Sequence, residues 1–433
     1  MMIYTVQAGD TIESIASAFG VSETRLVLDN GITNPIDLVI GQTIVITYPA
    51  QIHVVKEGDT LEQIALDQGV PIMQLFQFNP YLWDRDYIYP GEELIIRYDT
   101  TNVITTNGYA FPYINRRTLY KALPNLTYLS ILNYRTLRRG DIESYYDDTE
   151  LIETVKRFGV MPLMLVTGVS FQGERDPEMI YEILISPEYQ VRHAQSMANI
   201  IRERGYYGVN ITITYLNETN QELYLNYLRR VAAYLHNENF LVFITIDPNF
   251  AMEGNQNIFE RVDYSQYSDL VDGIYIMRFF WGTQYGPPAP VSSVEDISQL
   301  VNYMVRMTQP EKMSVGFPLL GYDWALPYIQ GYTRASSITL INALNLARTM
   351  GAVIYFDDVS KTPYFNYVMD ESGRNLGHIV WFVDARSISA ILDLVLSSGL
   401  NGTGLWNIMS FNPQLWLIIN STCVIEKLMI ENS

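Results

Sequence analysis

The sequence has almost none of the residues that make covalent or metal cross-links. Cys423 is the only cysteine in 433 residues, so no disulfide can form within the chain. There are four histidines, and their spacing does not match that of metal ligands. They are His53, His193, His236 and His378. We therefore predict neither a metal site nor a cofactor.

Positive charge is also scarce. The chain has 28 lysines and arginines against 47 aspartates and glutamates, which gives a net charge of −19. Nucleic acids and anionic membranes bind basic patches, so this balance argues against both as partners. A neutral polysaccharide would not be repelled by such a surface.

Long apolar runs are absent as well. No stretch of about 18 apolar residues is present that would span a bilayer. The N-terminus, Met1-Met-Ile-Tyr-Thr-Val, lacks the basic region and apolar run of a secretory signal. We expect synthesis in the cytosol, and any passage to a cell wall would then need lysis, assembly or a non-classical route.

Tyrosine, in contrast, is abundant, with 32 residues. The hydrophobic fraction of 48% and the charged fraction of 17% are typical of a globular protein with a large core. The length allows two or three domains. Tyrosine often lines sugar-binding grooves or wet interfaces, and it suits the exterior of a large barrel equally well. The composition leaves both interpretations open.

The first hundred residues contain two copies of one motif. Residues 4–21 and 53–70 align without a gap, and both contain Gly-Asp-Thr, at Gly9–Thr11 and Gly58–Thr60. Each copy predicts a strand, an amphipathic helix, a second helix and a closing strand. Asp10 and Thr11 lie where a helix N-cap belongs. We place the two units at residues 1–49 and 50–98.

This repeat resembles the LysM module, a βααβ domain that binds glycans containing N-acetylglucosamine, such as peptidoglycan and chitin. In that family the sugar lies between the first strand–helix loop and the second helix–strand loop. The resemblance implies a groove formed by Gly9, Asp10, Thr11, Ile12, Asn30 and Gly31 in the first unit, and by Gly58, Asp59, Thr60, Leu61, Asn79 and Pro80 in the second. Two weak sites on one chain would raise avidity for a repetitive polymer.

Beyond residues 99–107, a polar stretch that predicts a linker, short apolar runs alternate with amphipathic ones. The eight predicted strands are Gly108–Tyr113, Leu126–Asn133, Gly159–Val166, Gly208–Tyr215, Phe240–Ile246, Gly273–Phe280, Met313–Leu319 and Gly402–Asn407. This alternation predicts an α/β fold with parallel strands. Eight units predict a (β/α)₈ TIM barrel over residues 108–433, with a small α+β insertion at about 322–386.

The barrel resembles glycoside hydrolase family 18, and within it the LysM-bearing group linked to spore germination and the spore cortex. The resembling segments are 272–277 (DGIYIM), 316–324 (GFPLLGYDW), 380–387 (VWFVDARS) and 402–407 (GTGLWN). Such barrels carry their site at the C-terminal strand ends. The resemblance implies a groove there that contains Tyr215, Asp247, Met277, Asp323, Trp324 and Trp406.

In that family the substrate's own acetamido group acts as nucleophile, while the protein supplies an acid and an assisting Asp. Both come from Asp-x-x-Asp-x-Asp-x-Glu on the fourth strand. The four matching positions here are Tyr207, Asn210, Thr212 and Thr214, and no acidic residue occurs between residues 205 and 217. Phe279 replaces the sixth-strand tyrosine. Threonine cannot deliver a proton as a carboxylic acid does, so the resemblance predicts a scaffold whose catalytic residues are lost.

Three functional hypotheses follow. The first, which we favour, is a non-catalytic protein that binds N-acetylglucosamine glycans and is associated with the spore coat, the cortex or the cell wall. The second is an active cortex N-acetylglucosaminidase in which Asp247 or Asp323 replaces the lost acid. The third is a structural spore-coat or filament component that self-associates through tyrosine-rich surfaces.

Overall fold

The computed structural model describes residues 1–170, 176–214, 216–248, 250–253, 256–277, 283–291, 293–371 and 374–428. No helix within these ranges combines the length and the apolar character needed to cross a bilayer. Within the same ranges, no three His, Cys, Asp or Glu side chains come together as metal ligands would.

The first two units each fold as βααβ, as predicted. Unit one contains β1 (Met2–Thr5), α1 (Ile12–Phe19), α2 (Glu23–Asn30) and β2 (Thr43–Ile46); unit two contains β3 (Gln51–Val54), α3 (Leu61–Gln68), α4 (Ile72–Phe78) and β4 (Glu93–Arg97). The two strands of each unit pair in antiparallel fashion. Helices α1 and α3 begin where Thr11 and Thr60 accept hydrogen bonds from the backbone N–H groups of Ser14 and Gln63.

The larger domain follows directly. Its first part contains β5 (Asn102–Ala110), α5 (Arg116–Ala122), β6 (Tyr128–Thr136), β7 (Ile142–Ser144), α6 (Thr149–Arg157), β8 (Met161–Thr167), α7 (Pro177–Ile185), α8 (Pro187–Arg204), β9 (Gly208–Ile213), α9 (Gln221–Asn237) and β10 (Leu241–Ile246). Its middle contains β11 (Phe250–Glu253), β12 (Gln256–Phe259), α10 (Tyr267–Leu270), β13 (Gly273–Ile276), α11 (Val294–Met304) and β14 (Met313–Pro318).

The remainder holds an insertion and the last barrel elements. They are β15 (Leu320–Leu326), β16 (Ser336–Thr339), α12 (Leu340–Thr349), β17 (Tyr355–Asp357), β18 (Thr362–Glu371), β19 (Arg374–Trp381), α13 (Ala385–Ser397), β20 (Gly402–Trp406), α14 (Pro413–Thr422) and β21 (Cys423–Ile425). Strands β15 to β19 form a separate five-stranded sheet in the order β16-β15-β19-β18-β17. This is the predicted α+β insertion, which extends from Leu320 to Trp381.

Eight parallel strands close into a barrel. Their order is β5-β6-β8-β9-β10-β13-β14-β20, and β20 pairs with β5 to complete the ring. All eight predicted strands are present, so the TIM-barrel prediction is confirmed. Outward residues of the strands, such as Val209 and Ile211 on β9, are buried against the surrounding helices in one continuous apolar core.

The predicted linker is wrong over most of its length. Strand β5 begins at Asn102, so residues 102–107 belong to the barrel rather than to a flexible connection. Polar side chains in this stretch are stable in the strand because they form hydrogen bonds on both of its faces. Thr106 is buried and donates its hydroxyl to the carbonyl oxygen of Asn125 at 2.6 Å.

Candidate functional site

A groove of about 560 Å³ runs along the first unit between α1 and α2. Its lining residues are Thr11, Ile12, Glu13, Glu23, Thr24, Val27, Leu28, Pro35 and Ile36. The floor is apolar, because Ile12 is buried and Val27 and Leu28 are half-buried. The rim carries hydroxyl and carboxylate oxygens. An apolar floor with oxygen acceptors around it can hold a neutral sugar ring and bind its hydroxyls.

Two residues of the predicted first groove, Thr11 and Ile12, line this cavity. Asp10 instead holds the turn, because its carboxylate accepts hydrogen bonds from the Tyr4 hydroxyl and the Gln7 backbone N–H, both at 2.7 Å. Gly9 takes a left-handed φ of 91° in that turn. The helix N-cap is Thr11 alone, not Asp10 and Thr11 together.

Asn30 and Gly31 do not line the groove. The Asn30 amide is buried, accepts from the Val45 N–H at 2.7 Å and donates to the Val45 carbonyl at 2.8 Å. A Cβ on Gly31 would collide with the ring of Pro413 on α14. Both residues therefore face β2 and the barrel, which corrects the prediction. The missed wall residues, Pro35 and Ile36, lie five or six positions further along the chain.

The second unit repeats the turn of the first. Asp59 accepts hydrogen bonds from the His53 ring at 2.7 Å and the Lys56 N–H at 2.8 Å, and the first of these bonds lowers the pKa of Asp59. Asn79 is fully buried and bonds both backbone groups of Ile95, as Asn30 does with Val45. Asn79 is thus structural, contrary to the prediction.

Four further residues were predicted for the second groove. Gly58 lies in the turn with a φ of 88°, Thr60 caps α3, Leu61 is half-buried at its start, and Pro80 begins a single 3₁₀ turn, Pro80–Asp84. That turn packs against the barrel. Trp83 lies between Phe76 of α4 and Phe158 of the barrel, with ring centroids 4.3 and 5.9 Å away.

Inside the barrel, the fourth strand carries a neutral hydrogen-bond network. Asn210 is fully buried and donates to the hydroxyls of Tyr109 at 3.1 Å and Ser130 at 3.0 Å, while it accepts from Thr245 at 2.8 Å. Burial raises the pKa of Tyr109, so its phenol stays protonated. All members of this network are uncharged near neutral pH.

Thr212 and Thr214 follow Asn210 on the same face of the chain, since side chains alternate along a strand. The Thr212 hydroxyl donates to the Val166 carbonyl of β8 at 3.2 Å. Thr214 is buried just beyond the C-terminal end of β9. Tyr207 lies at the other end of the strand, where its ring is 5.4 Å from the Lys156 ammonium. Tyr207 is therefore remote from the barrel mouth.

Asp247 is the one proposed replacement acid that follows a barrel strand on the interior face. Its N–H donates to the Ile213 carbonyl at 3.0 Å, which places it beside the end of β9. It lies two residues after Thr245, whose hydroxyl points into the barrel. Alternation therefore directs Asp247 towards the barrel mouth, and the residue is half-buried there.

Met277 and Trp406 lie at the bottom of the barrel mouth. They form one buried cluster with Tyr109 and Leu165. Trp406 is 7% exposed and packs edge-on against Tyr109, with ring centroids 5.8 Å apart. Trp406 thus contributes the floor of the mouth rather than an exposed platform.

The two remaining groove predictions need correction. Trp324 is completely buried and donates its indole N–H to the Gly286 carbonyl at 3.0 Å, so it has no ring face to offer a sugar. Asp323 points to the opposite side of β15, into the insertion. Its carboxylate accepts from the Tyr367 hydroxyl at 2.6 Å and lies 3.0 Å from His378 Nδ1. Asp323 is thus engaged away from the mouth.

An aromatic rim at the mouth was missed. Phe111 and Tyr113 follow β5, and their rings stack 5.2 Å apart. Tyr146, after β7, packs 5.3 Å from Tyr113. Tyr113 and Tyr146 are 52% and 41% exposed. The position of Tyr113 as the last residue of the first predicted strand, Gly108–Tyr113, was the available signal, because C-terminal strand ends build the mouth.

Two predicted residues, Tyr215 and Phe279, lie outside the described residues.

Comparison with protein families matches residues 108–410 to the model for glycosyl hydrolases family 18, and residues 4–47 and 53–97 to the LysM domain. The chain is 29% identical over 427 residues to the cortical fragment-lytic enzyme of Bacillus subtilis (strain 168), covering 97% of both proteins. It is 27% identical over 433 residues to the cortical fragment-lytic enzyme of Bacillus anthracis, covering 99% of both.

Among solved structures, the chain is similar to the spore cortex-lytic enzyme SleL of Bacillus megaterium QM B1551. The TM-score is 0.78, the identity is 27%, and 99% of each chain is covered. The structure and the family comparison agree: the closed barrel corresponds to the family match over residues 108–410, and the tandem βααβ units correspond to the two LysM matches. The chain therefore belongs to glycosyl hydrolases family 18 and carries two LysM domains ahead of its barrel.

Proposed function

We propose that this chain binds glycans that contain N-acetylglucosamine and does not hydrolyse them. The observation that carries the proposal is the interior of the fourth strand. Asn210, Thr212 and Thr214 stand where family 18 enzymes hold carboxylates, and the three hydroxyl groups that bond to the Asn210 amide, those of Tyr109, Ser130 and Thr245, are neutral. The first LysM unit meanwhile keeps an open groove of about 560 Å³.

Cleavage of a glycosidic bond needs a group that protonates the leaving oxygen, and this step contributes about 10²–10⁴-fold to the rate. Amide and hydroxyl side chains neither gain nor lose a proton near neutral pH. Without the assisting aspartate, the acetamido group of the substrate also lacks the partner that orients it. These losses act on the same step and compound one another.

Peptidoglycan of the spore cortex or the cell wall is the glycan we propose. The support is twofold: the LysM units, and the similarity over nearly the whole chain to proteins named as cortex-lytic enzymes. We propose the same compartments as the location of the protein. The net charge of −19 fits a neutral glycan better than nucleic acid or an anionic membrane.

The test combines binding and turnover on the same samples. The intact chain is incubated with cortex fragments and with chitin oligomers, bound protein is measured by sedimentation, and soluble products are measured by mass spectrometry. We expect retention without new fragments. Thr24→Trp, which fills the groove, should reduce retention. Clear release of N-acetylglucosamine-type fragments by the wild-type chain would overturn the proposal.

Asp247 supports a second candidate function, an active N-acetylglucosaminidase. It follows β10 on the face of Thr245 and lies beside the end of β9, where an acid could reach a sugar in the mouth. On this proposal the wild-type chain releases fragments and Asp247→Asn abolishes their release. Asp323→Asn, which alters a carboxylate bound within the insertion, serves as the matched control and should leave turnover unchanged.

A further inference from the structure

The loop between α2 and β2, residues 31–42, lines the first LysM groove on one side and packs against the barrel insertion on the other. Its outer side forms a wall of the first LysM groove through Pro35 and Ile36. Ile36 is 95% exposed, so no packing within the protein holds its side chain in place. The position of this wall therefore depends on what fixes the backbone next to it.

The residue that follows the wall is bound by the barrel insertion. Arg348 of α12 donates its Nε–H to the Asp37 carbonyl oxygen at 2.8 Å, and Nε lies 3.8 Å from the Asp37 carboxylate. The same guanidinium donates to the Asn345 side chain at 2.7 Å. Arg348 is thus itself held on the helix, and its side chain is only 16% exposed.

The next residues of the loop enter the insertion. Val39 is 5% exposed and belongs to the apolar core that α12 and the insertion sheet build. The Ile354 N–H donates to the Ile40 carbonyl at 3.0 Å. Gly41 packs so closely that an added Cβ would overlap the Ile354 carbonyl oxygen. The inner side of the loop is therefore part of the insertion's own packing.

We propose that the barrel insertion completes the glycan-binding site of the first LysM domain, with Arg348 as a positioning residue for the Pro35–Ile36 wall. The inference rests on the proposed glycan-binding function of that groove. A wall that is already ordered spares the bound sugar the entropy cost of ordering a loop. Affinity at the first groove is then a property of LysM domain and barrel together.

The second LysM domain offers a matched control. Its corresponding loop is tied to a different barrel helix, because Lys121 of α5 donates to Asp84 at 2.6 Å. Lys121 is remote in sequence and contact from the first groove. Removing it deletes an equivalent contact between a LysM domain and the barrel without touching the Pro35–Ile36 wall.

The experiment uses the full chain with isotope-labelled isoleucine methyl groups and titrates it with an N-acetylglucosamine hexamer. The Ile36 methyl resonance reports the first groove alone. We expect Arg348→Ala to weaken binding there about tenfold, as loss of a pre-ordered loop does, and to speed hydrogen exchange over residues 33–42. Arg348→Lys should recover most of the affinity, and Lys121→Ala should match wild type.

The outcomes separate the inference from the proposed function. If the Ile36 methyl resonance of the wild-type chain does not shift on addition of the hexamer, the proposed glycan site in the first groove is wrong. If Thr24→Trp abolishes binding but Arg348→Ala leaves the affinity at the wild-type value, the inference about Arg348 is wrong and the proposed glycan site stands. If Arg348→Ala loses the circular dichroism of the folded chain, Arg348→Gln replaces it, and it is held to the same tenfold expectation.

Discussion

Replacing Asn30 by alanine should unfold the first LysM domain locally rather than remove a sugar contact. The Asn30 amide donates to the Leu26 and Val45 carbonyls at 3.1 and 2.8 Å, and it accepts from the Val45 N–H at 2.7 Å. It also accepts from Gln414 of the barrel at 3.2 Å. The residue is 6% exposed, so water cannot replace these partners.

The magnitude follows from the groups left behind. Alanine would strip a partner from the Val45 N–H and from two carbonyls in a buried site. A buried polar group without a partner costs about 1–3 kcal/mol, and carbonyls that keep another bond lie at the low end. We therefore expect Asn30→Ala to lower the local stability of the first domain by about 3 kcal/mol.

Hydrogen exchange of the full chain, followed by mass spectrometry, measures this directly. Residues 43–46 of β2 should exchange about 10²-fold faster in Asn30→Ala, the factor that about 3 kcal/mol gives for local opening. The same segment should be unaffected by Asn79→Ala, which deletes the equivalent amide of the second domain. That variant should instead expose residues 93–97 of β4.

One result would contradict the structural role of Asn30. If Asn30→Ala leaves exchange over residues 43–46 unchanged and weakens glycan binding at the first groove, Asn30 contacts the sugar and our assignment of its role is wrong. Asn30→Asp provides a further check. It keeps the acceptor for the Val45 N–H but places a buried carboxylate oxygen against the Leu26 and Val45 carbonyl oxygens, so its effect on exchange should be at least as large as that of alanine.

Three further predictions concern the barrel. Burial lowers the pKa of His193 to about 4, so the unfolded chain binds a proton at this residue before the folded chain does as pH falls. The free energy of unfolding of the wild type relative to His193→Gln, measured by urea titration, should therefore drop by about 3 kcal/mol between pH 7 and pH 4. A difference that stays constant over this range would refute a neutral buried imidazole. Thr212→Asp with Thr214→Glu should release no chitin fragments unless Phe279→Tyr accompanies them, and substantial turnover in the double variant would contradict this. Trp324→Ala should destabilise the chain by about 3–5 kcal/mol in the same titration without changing glycan affinity, and lost affinity in a stably folded variant would restore it as a groove residue.

The periodic spacing of apolar residues was sufficient to predict the fold. The eight barrel strands and the two βααβ units are visible in the sequence because apolar spacing directly reflects which elements are buried. The prediction of a linker was wrong for a related reason. Residues 102–107 are mostly polar, and polarity normally marks a loop. Thr106 on the outer face of β5 and Asn107 on its inner face nevertheless both form hydrogen bonds, so neither position needs an apolar side chain.

The candidate sites were only partly visible. Thr11 and Ile12 were found through the repeat itself, whereas the opposite wall, Pro35 and Ile36, lies in the loop that the two copies do not share in length. Asn30 was chosen because it recurs at Asn79, yet the recurrence reflects a shared backbone bond to the closing strand. Repetition alone does not distinguish a structural amide from a binding one.

The sequence by itself determined the tandem LysM organisation, the barrel and the absence of carboxylates from the fourth strand. Only the tertiary structure decided which way side chains point and what they meet. Alternation on β15 buries Trp324 against the barrel and turns Asp323 into the insertion. The loop wall of the first groove is likewise held by Arg348, more than three hundred residues away. Such contacts depend on packing between distant segments, and no local pattern encodes them.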